Sequence, residues 1–236
     1  GSKEVPEGQI FLNPQAWAVI SGAASDEQAE IALERVHERL ATEYGVALCD
    51  PPYTNSDWQI VRAQLMNPST KENGGIFNHT QGWIVMAEAM RGNGNRAYEY
   101  LRSYMPAAYN QKAEIREIEP YVVCQSTHSK LSPKQGVSRV PWLSGAATWT
   151  YFAITQHVLG IRPEYDGLTI DPCIPSHWDG FAARRNFRGR SFDIKVSNPN
   201  GAQRGVRSMK VNGKDVEGAF IPEALFEDSN QVEVLL

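Results

Sequence analysis

The chain reads as mostly α and then β, in two modules. Between residues 13 and 160 the apolar residues recur at helical spacing, with loops between, whereas after Gly160 they alternate with the period of two that marks strands. Asn198-Pro199-Asn200-Gly201 and Asn212-Gly213 supply turns among those later runs, and Asn-Gly is a strong hairpin signal. Helices followed by a run of antiparallel strands predict separate modules, here a helical domain over 1–160 and a β domain over 161–236.

Each element has a local reason. Asn13-Pro14 predicts a helix start, a cap followed by proline in the first turn, with Ala16, Trp17, Val19 and Ile20 as its apolar face. Ser25-Asp26-Glu27-Gln28 is an S-x-x-Q capping box and opens a long helix expected to end near Gly45, with Ile31, Val36 and Leu40 on its dry side. Residues 46–75 predict irregular loop, because Asp50-Pro51-Pro52 and Asn67-Pro68 break regular structure, with a short ordered piece around 58–66. A loop that long inside a compact domain is usually functional or disordered, and Trp58, Ile60, Leu65 and Met66 argue against disorder. Helices are expected over 80–91, 95–109 and 146–159. The last carries Trp149, Tyr151, Phe152, Ile154 and Val158 on more than one face, which predicts deep burial. Strands are expected over 167–171, 181–187, 191–197, 206–211 and 231–236.

Composition narrows the function. At 236 residues the chain can bury a real core, and 42% hydrophobic with 21% charged residues is ordinary for a soluble globular protein. A net charge of −4 gives no basic surface for a nucleic acid backbone. No apolar run approaches the roughly 20 residues that cross a bilayer. Cys49, Cys124 and Cys173 are odd in number and lack metal-ligand spacing, so reduced, buried thiols and a cytoplasmic location are expected. No two histidines have metal-ligand spacing, and no metal or organic cofactor is expected.

Two segments carry chemistry. Residues 74–83, with Asn78, His79 and Thr80, and residues 141–149, with Ser144 and Gly145, each place a small polar group just ahead of a helical pattern. Free N–H groups at a helix start, joined by an imidazole or a hydroxyl, suit an anion such as phosphate. Two such pockets suggest a phosphate-handling enzyme.

Longer strings carry a family resemblance. They are Lys71-Glu72-Asn73-Gly74-Gly75-Ile76-Phe77-Asn78-His79-Thr80, Glu119-Pro120-Tyr121-Val122-Val123-Cys124-Gln125, Trp142-Leu143-Ser144-Gly145 and residues 159–168, continued by Asp171-Pro172-Cys173-Ile174-Pro175 and Trp178-Asp179-Gly180-Phe181. These resemble the inverting disaccharide phosphorylases of glycoside hydrolase family 94, the cellobiose, chitobiose and cellobionic acid phosphorylase group, almost from end to end. The resemblance implies the C-terminal part of an (α/α)6 toroid followed by an antiparallel β-sandwich-like domain. It also implies a fragment whose missing N-terminal part holds the general-acid aspartate. No catalytic residue is therefore assigned, and Asp57, Asp166 and Asp171 receive no such role.

The implied reaction is reversible phosphorolysis of a β-linked, cellobiose-like disaccharide with inversion, giving an α-sugar 1-phosphate and a free acceptor sugar. Inverting glycosidases activate water with a second carboxylate. In a phosphorylase, inorganic phosphate is itself the nucleophile and needs only a donor-rich cradle that holds it in line. By resemblance His79, Thr80, Ser144 and Gly145 bind phosphate, while Arg62, Lys71, Glu72, Gln125 and Trp142 face the sugars. Where relatives usually offer an acidic residue to the acceptor, Arg62 stands, which opens the way to an acceptor carrying a carboxylate. Trp142 divides evenly between groove wall and core, and Trp149 leans to core. Homodimerisation is common in the resembling family. Two other readings stay open: a noncatalytic carbohydrate-binding or scaffold fragment, and an inverting glycosidase on the same toroid, which would need a carboxylate base where His79 and Ser144 stand.

Overall fold

A computed structural model describes residues 4–142 and 145–236. They cluster into two compact units: residues up to Ala87 with Glu99–Tyr151, and Glu88–Tyr98 with Phe152–Leu236.

The first unit is helical with short strand pairs. Strand β1 (Ile10–Phe11) leads into α1 (Leu12–Ile20) and α2 (Asp26–Leu40), followed by β2 (Ala41–Thr42), β3 (Gly45–Val46) and β4 (Cys49–Asp50). A 3-10 turn, Arg62–Leu65, lies inside the long loop, and β5 (Ile76–Phe77) runs directly into α3 (Asn78–Met90). Helices α4 (Gly94–Tyr104) and α5 (Ala113–Arg116), strands β6 (Ser126–Thr127) and β7 (Ser138–Arg139), and α6 (Ala146–Phe152) follow, the last continuing as a π-helical turn, Ala153–Val158. Leu12, Ala16, Leu33, Val36, Leu40, Ile76, Ile84 and Val85 are buried in its core. Each such side chain contributes on the order of 1.5–3 kcal/mol through removal from water.

Several local expectations are corrected. The capping box holds, with the Gln28 amide N–H donating to Ser25 Oγ at 3.2 Å and Ser25 N–H to Gln28 Oε1 at 2.9 Å. Helix α1 begins at Leu12, because Leu12 N–H is satisfied by the Leu48 carbonyl at 2.9 Å, a tertiary contact that replaces the expected Asn13 cap. Helix α2 stops at Leu40 and not near Gly45. Strands β2 and β3 pair there, the Thr42 hydroxyl donates to the Gly45 carbonyl at 2.6 Å, and Tyr44 N–H donates to the same hydroxyl. Ile31 is 54% exposed, and the dry stripe of α2 is Ala29, Leu33, Val36 and Leu40. Deep burial of the last helix also fails: Tyr151 is 62% exposed and only Ala146 and Thr150 of α6 are buried.

The second unit carries the strands. Strand β8 (Ile161–Pro163), β9 (Gly167–Ile170) and, further on, β14 (Phe220–Pro222) make a three-stranded antiparallel sheet in the order β14-β9-β8. Strands β10 (Gly180–Phe187), β11 (Arg190–Ser197), β12 (Ser208–Val211), β13 (Lys214–Val216) and β15 (Ser229–Leu235) make a five-stranded sheet in the order β10-β11-β15-β12-β13. The Asn212-Gly213 turn joins β12 to β13, both residues having positive φ (51° and 78°), as such a tight turn requires. One pairing departs from the antiparallel expectation: β11 and β15 run parallel, with Ile194 opposite Val232 and Val196 opposite Val234. Alternation puts Phe192, Ile194 and Val196 on one face with Val232 and Val234, all buried.

Candidate functional site

Helix α3 starts where β5 ends, and the start is fixed by its neighbours. Asn78 N–H donates to the Gln125 carbonyl at 2.8 Å, and its side-chain amide donates to Cys124 Sγ at 2.7 Å. Thr80 is buried, its hydroxyl donating to the Phe77 carbonyl at 2.8 Å. Gln81 accepts from Val46 N–H at 2.7 Å and returns a bond to the Val46 carbonyl at 2.8 Å. Three of the first four side chains of the helix thus serve the fold. His79 is the fourth, half-buried and without a hydrogen bond to its ring nitrogens among the described residues.

The His79 ring is held edge-on by Phe77 and Trp83, each at a centroid distance of 4.9 Å. Trp83 in turn meets Trp149 of α6 edge-on at 5.7 Å, and Trp17 packs on both indoles. A methyl group on Gly82 would come within 2.7 Å of the Trp149 carbonyl oxygen, so glycine is what lets α3 and α6 approach this closely. Gly145, exposed and open around its Cα, lies one turn before Trp149, whose N–H donates to the Gly145 carbonyl at 3.1 Å. A relay of rings therefore links His79 at the head of α3 to Gly145 at the head of α6. Ser144 lies outside the described residues.

Burial lowers the pKa of His79 below its ordinary value, and the Glu72 carboxylate partly raises it again. The ring is thus neutral near pH 7, an N–H donor on one side and an acceptor on the other. Lys71 and Glu72 are exposed on the turn before β5. Asn73 pins that turn: it accepts from Tyr53 N–H at 2.6 Å and donates to the carbonyls of Tyr53 and Met66 at 2.8 and 2.9 Å. The loop 53–66 is closed at its neck by this one amide. Arg62 stands exposed inside it, with no ion pair among the described residues.

Glu7, which no sequence motif singles out, holds the first residues of the same loop. Its carboxylate accepts from the backbone and side chains of Thr54, Asn55 and Ser56 at 2.6–3.3 Å. These bonds, led by the Ser56 and Thr54 hydroxyls, lower its pKa to about 2. The residues it holds are nearly fifty positions away, beyond any local pattern.

Gln125 reaches the site through its main chain, its carbonyl bonded to Asn78 and its N–H donating to the Val140 carbonyl at 3.0 Å. Trp142 is 71% exposed, in left-handed backbone (φ 64°), with Tyr121 6.1 Å away and 75% exposed. That pair is an open aromatic surface and not core, and Tyr121 joins Trp142 there although no motif assigns it a role. No cluster of three metal-ligating side chains occurs among the described residues, none of their helices is long and apolar enough to cross a membrane, and all three cysteines are free and buried.

The family model described as the glycosyl hydrolase 94 superfamily catalytic domain matches residues 1–160. The chain belongs to the glycosyl hydrolase 94 superfamily. Residues 161–216 match the C-terminal domain of glycosyl hydrolase family 65. Among curated relatives, the N,N'-diacetylchitobiose phosphorylase of Vibrio furnissii is 39% identical over all of this chain and 29% of its own length. The solabiose phosphorylase of Paenibacillus borealis is 32% identical over 94% of this chain and 29% of its own. The cellobionic acid phosphorylase of Neurospora crassa is 30% identical over 88% and 27%. The chain thus spans less than a third of the length of these relatives, which are disaccharide phosphorylases.

Proposed function

We propose that this chain is the phosphate-binding and part of the acceptor-binding portion of an inverting disaccharide phosphorylase. The observation that carries the reading is the unpartnered His79 ring at the head of α3, joined through Trp83 and Trp149 to Gly145 at the head of α6. In this reading the helices belong to an (α/α)6 toroid and the later strands to a β-sandwich-like domain.

Phosphate sits against His79 N–H and main-chain N–H groups of the two helix starts, that of Asn78 excepted because it is bonded to Gln125, Ser144 adding its hydroxyl. Thr80 contributes main chain only, since its hydroxyl is spent on Phe77. The cradle binds the nucleophile without a base and holds it in line with the anomeric carbon. The departing sugar oxygen takes its proton from an aspartate on the rest of the protein. Lys71, Glu72, Gln125 and Arg62 line the sugar side, and Trp142 with Tyr121 offers faces for ring stacking. Arg62 favours an acceptor with a carboxylate, the chemistry named for the Neurospora crassa relative. No cofactor other than phosphate as co-substrate is required, a homodimer fits the family, and the three free thiols favour a reducing, cytoplasmic setting.

The test is an assay of the complete protein with cellobiose, N,N'-diacetylchitobiose and cellobionic acid. Sugar 1-phosphate release that requires inorganic phosphate is expected. Hydrolysis independent of phosphate would replace this reading with a glycosidase, and binding without turnover with a carbohydrate-binding module.

A further inference from the structure

The second unit holds a cavity of about 230 Å³ that the phosphorolysis site does not use. It is smaller than the roughly 300–1,000 Å³ of sites for drug-sized ligands, a scale suited to a small ion or a compact ester. Its polar walls come from separate stretches: His157 from the π-helical turn, Arg162 from β8, Asp171 and Cys173 from the segment after β9, and Arg204 from the loop before β12. π-Helical turns are rare and recur at functional sites.

The groups are unequally satisfied. Arg204 is engaged, donating to Asp171 Oδ2 at 2.6 Å and to the Met90 carbonyl at 2.8 Å. Arg162 is not. Its Nη2 lies 3.7 Å from the same Oδ2 and its Nε 3.8 Å from Glu164 Oε1, both beyond hydrogen-bonding length, and it makes no hydrogen bond among the described residues. Glu164 accepts from the Thr169 hydroxyl at 3.1 Å, and the buried Glu88 accepts from Asn93 at 2.7 Å. Asp171 is thus the one carboxylate in the wall, facing two guanidiniums. Cys173 stays a thiol, burial pushing it up to about 12. Burial, then Arg162 and Arg204, pull His157 down to about 4, so the imidazole is neutral at pH 7.

We propose that this cavity binds a small phosphoryl oxyanion, held by the Arg162 and Arg204 guanidiniums and the His157 imidazole, with Asp171 fixing Arg204 in place. A tetrahedral oxyanion offers Arg162 the charge-assisted bonds it lacks. It also supplies a negative charge beside His157, which then takes up a proton and becomes a third donor. The shared chemistry is the phosphoryl group, free or esterified to a sugar.

The experiment follows the histidine ring resonances of the intact chain by NMR. Inorganic phosphate, then a hexose 1-phosphate, is titrated against potassium chloride at matched ionic strength. The pKa of His157 is expected to rise by about 1–3 units with phosphate, the shift typical of an opposite charge at close range, and Arg162→Gln to weaken that response at least tenfold. A His157 resonance that ignores phosphate, or that chloride moves equally, overturns the site. A response confined to His79 also overturns it and leaves the phosphorolysis reading intact. Should Arg162→Gln lose its fold, the phosphate-against-chloride comparison on the unaltered chain decides alone. Tighter binding of the hexose 1-phosphate identifies an ester as the ligand, and equal or weaker binding identifies the free ion.

Discussion

His79 and His157 are the same group in two settings. Burial disfavours the charged ring in both. At His79 the neighbours are aromatic edges and one carboxylate, Glu72, which draws the proton affinity partly back. At His157 the neighbours are two cations, which push it further down, to about 4. Burial is the larger cause in both, and the neighbouring charges work against it at His79 and with it at His157. Phosphate arriving at His79 adds to the pull of Glu72, whereas at His157 an anion first has to offset the arginines beside it.

The comparison breaks most decisively at His79. His79→Ala in the complete enzyme is expected to lower phosphorolysis by about 10²–10³, the usual cost of one preorganised donor to an oxyanion. The melting temperature should move by only a few degrees; unchanged phosphate kinetics would remove this residue from the site. Next in size is Gly82→Ala, whose new methyl meets Trp149 backbone at 2.7 Å. A loss of about 1–3 kcal/mol by denaturant titration is expected. The pKa of His79 should rise as its ring cage loosens while that of His157 stays at about 4.

A third variant, His157→Gln, tests the acid side. The folded pKa of about 4 lies below the unfolded value near 6.5. The unfolded chain therefore binds this proton first, and stability falls as pH drops from about 6.5 towards 4. His157→Gln should remove that part of the loss, about 2 kcal/mol once solvent screening is allowed for. Urea melts at pH 7 and near pH 4.5 would read it. The smallest effect is expected from Glu72→Gln, which removes the one charge that raises His79. NMR titration should show its pKa falling further, by a small amount because Glu72 is exposed, with His157 unmoved.

What the sequence made legible was local. The Ser25–Gln28 capping box and the Asn212-Gly213 turn each lie within a few residues, so their chemistry is complete in the string. Helix α1 is capped two residues before Asn13 because its first N–H is satisfied by Leu48, and α2 ends before Gly45 because Thr42 turns the chain through its own hydroxyl. The parallel pairing of β11 with β15 joins residues some forty positions apart and leaves no mark in either strand. The site divides in the same way. His79 and Gly145 stand in recognisable strings, but the stack of Trp83 on Trp149 that relates them depends on a close approach of two helices that Gly82 permits. Trp149 is partly buried, its ring edge-on to Trp17 and Trp83, a packing that its apolar sequence neighbours do not specify.

Asn73 ties the two ends of the loop 53–66 together, through bonds made to main-chain atoms of Tyr53 and Met66, and Glu7 holds its first residues. The asparagine clasp is indifferent to which side chains the enclosed residues carry. Closing a flexible loop costs only logarithmically more as it lengthens. The stretch around Arg62 is therefore a cassette, open to rewriting in length and charge, provided the asparagine and the glutamate that latch it, with the residues they hold, are left alone.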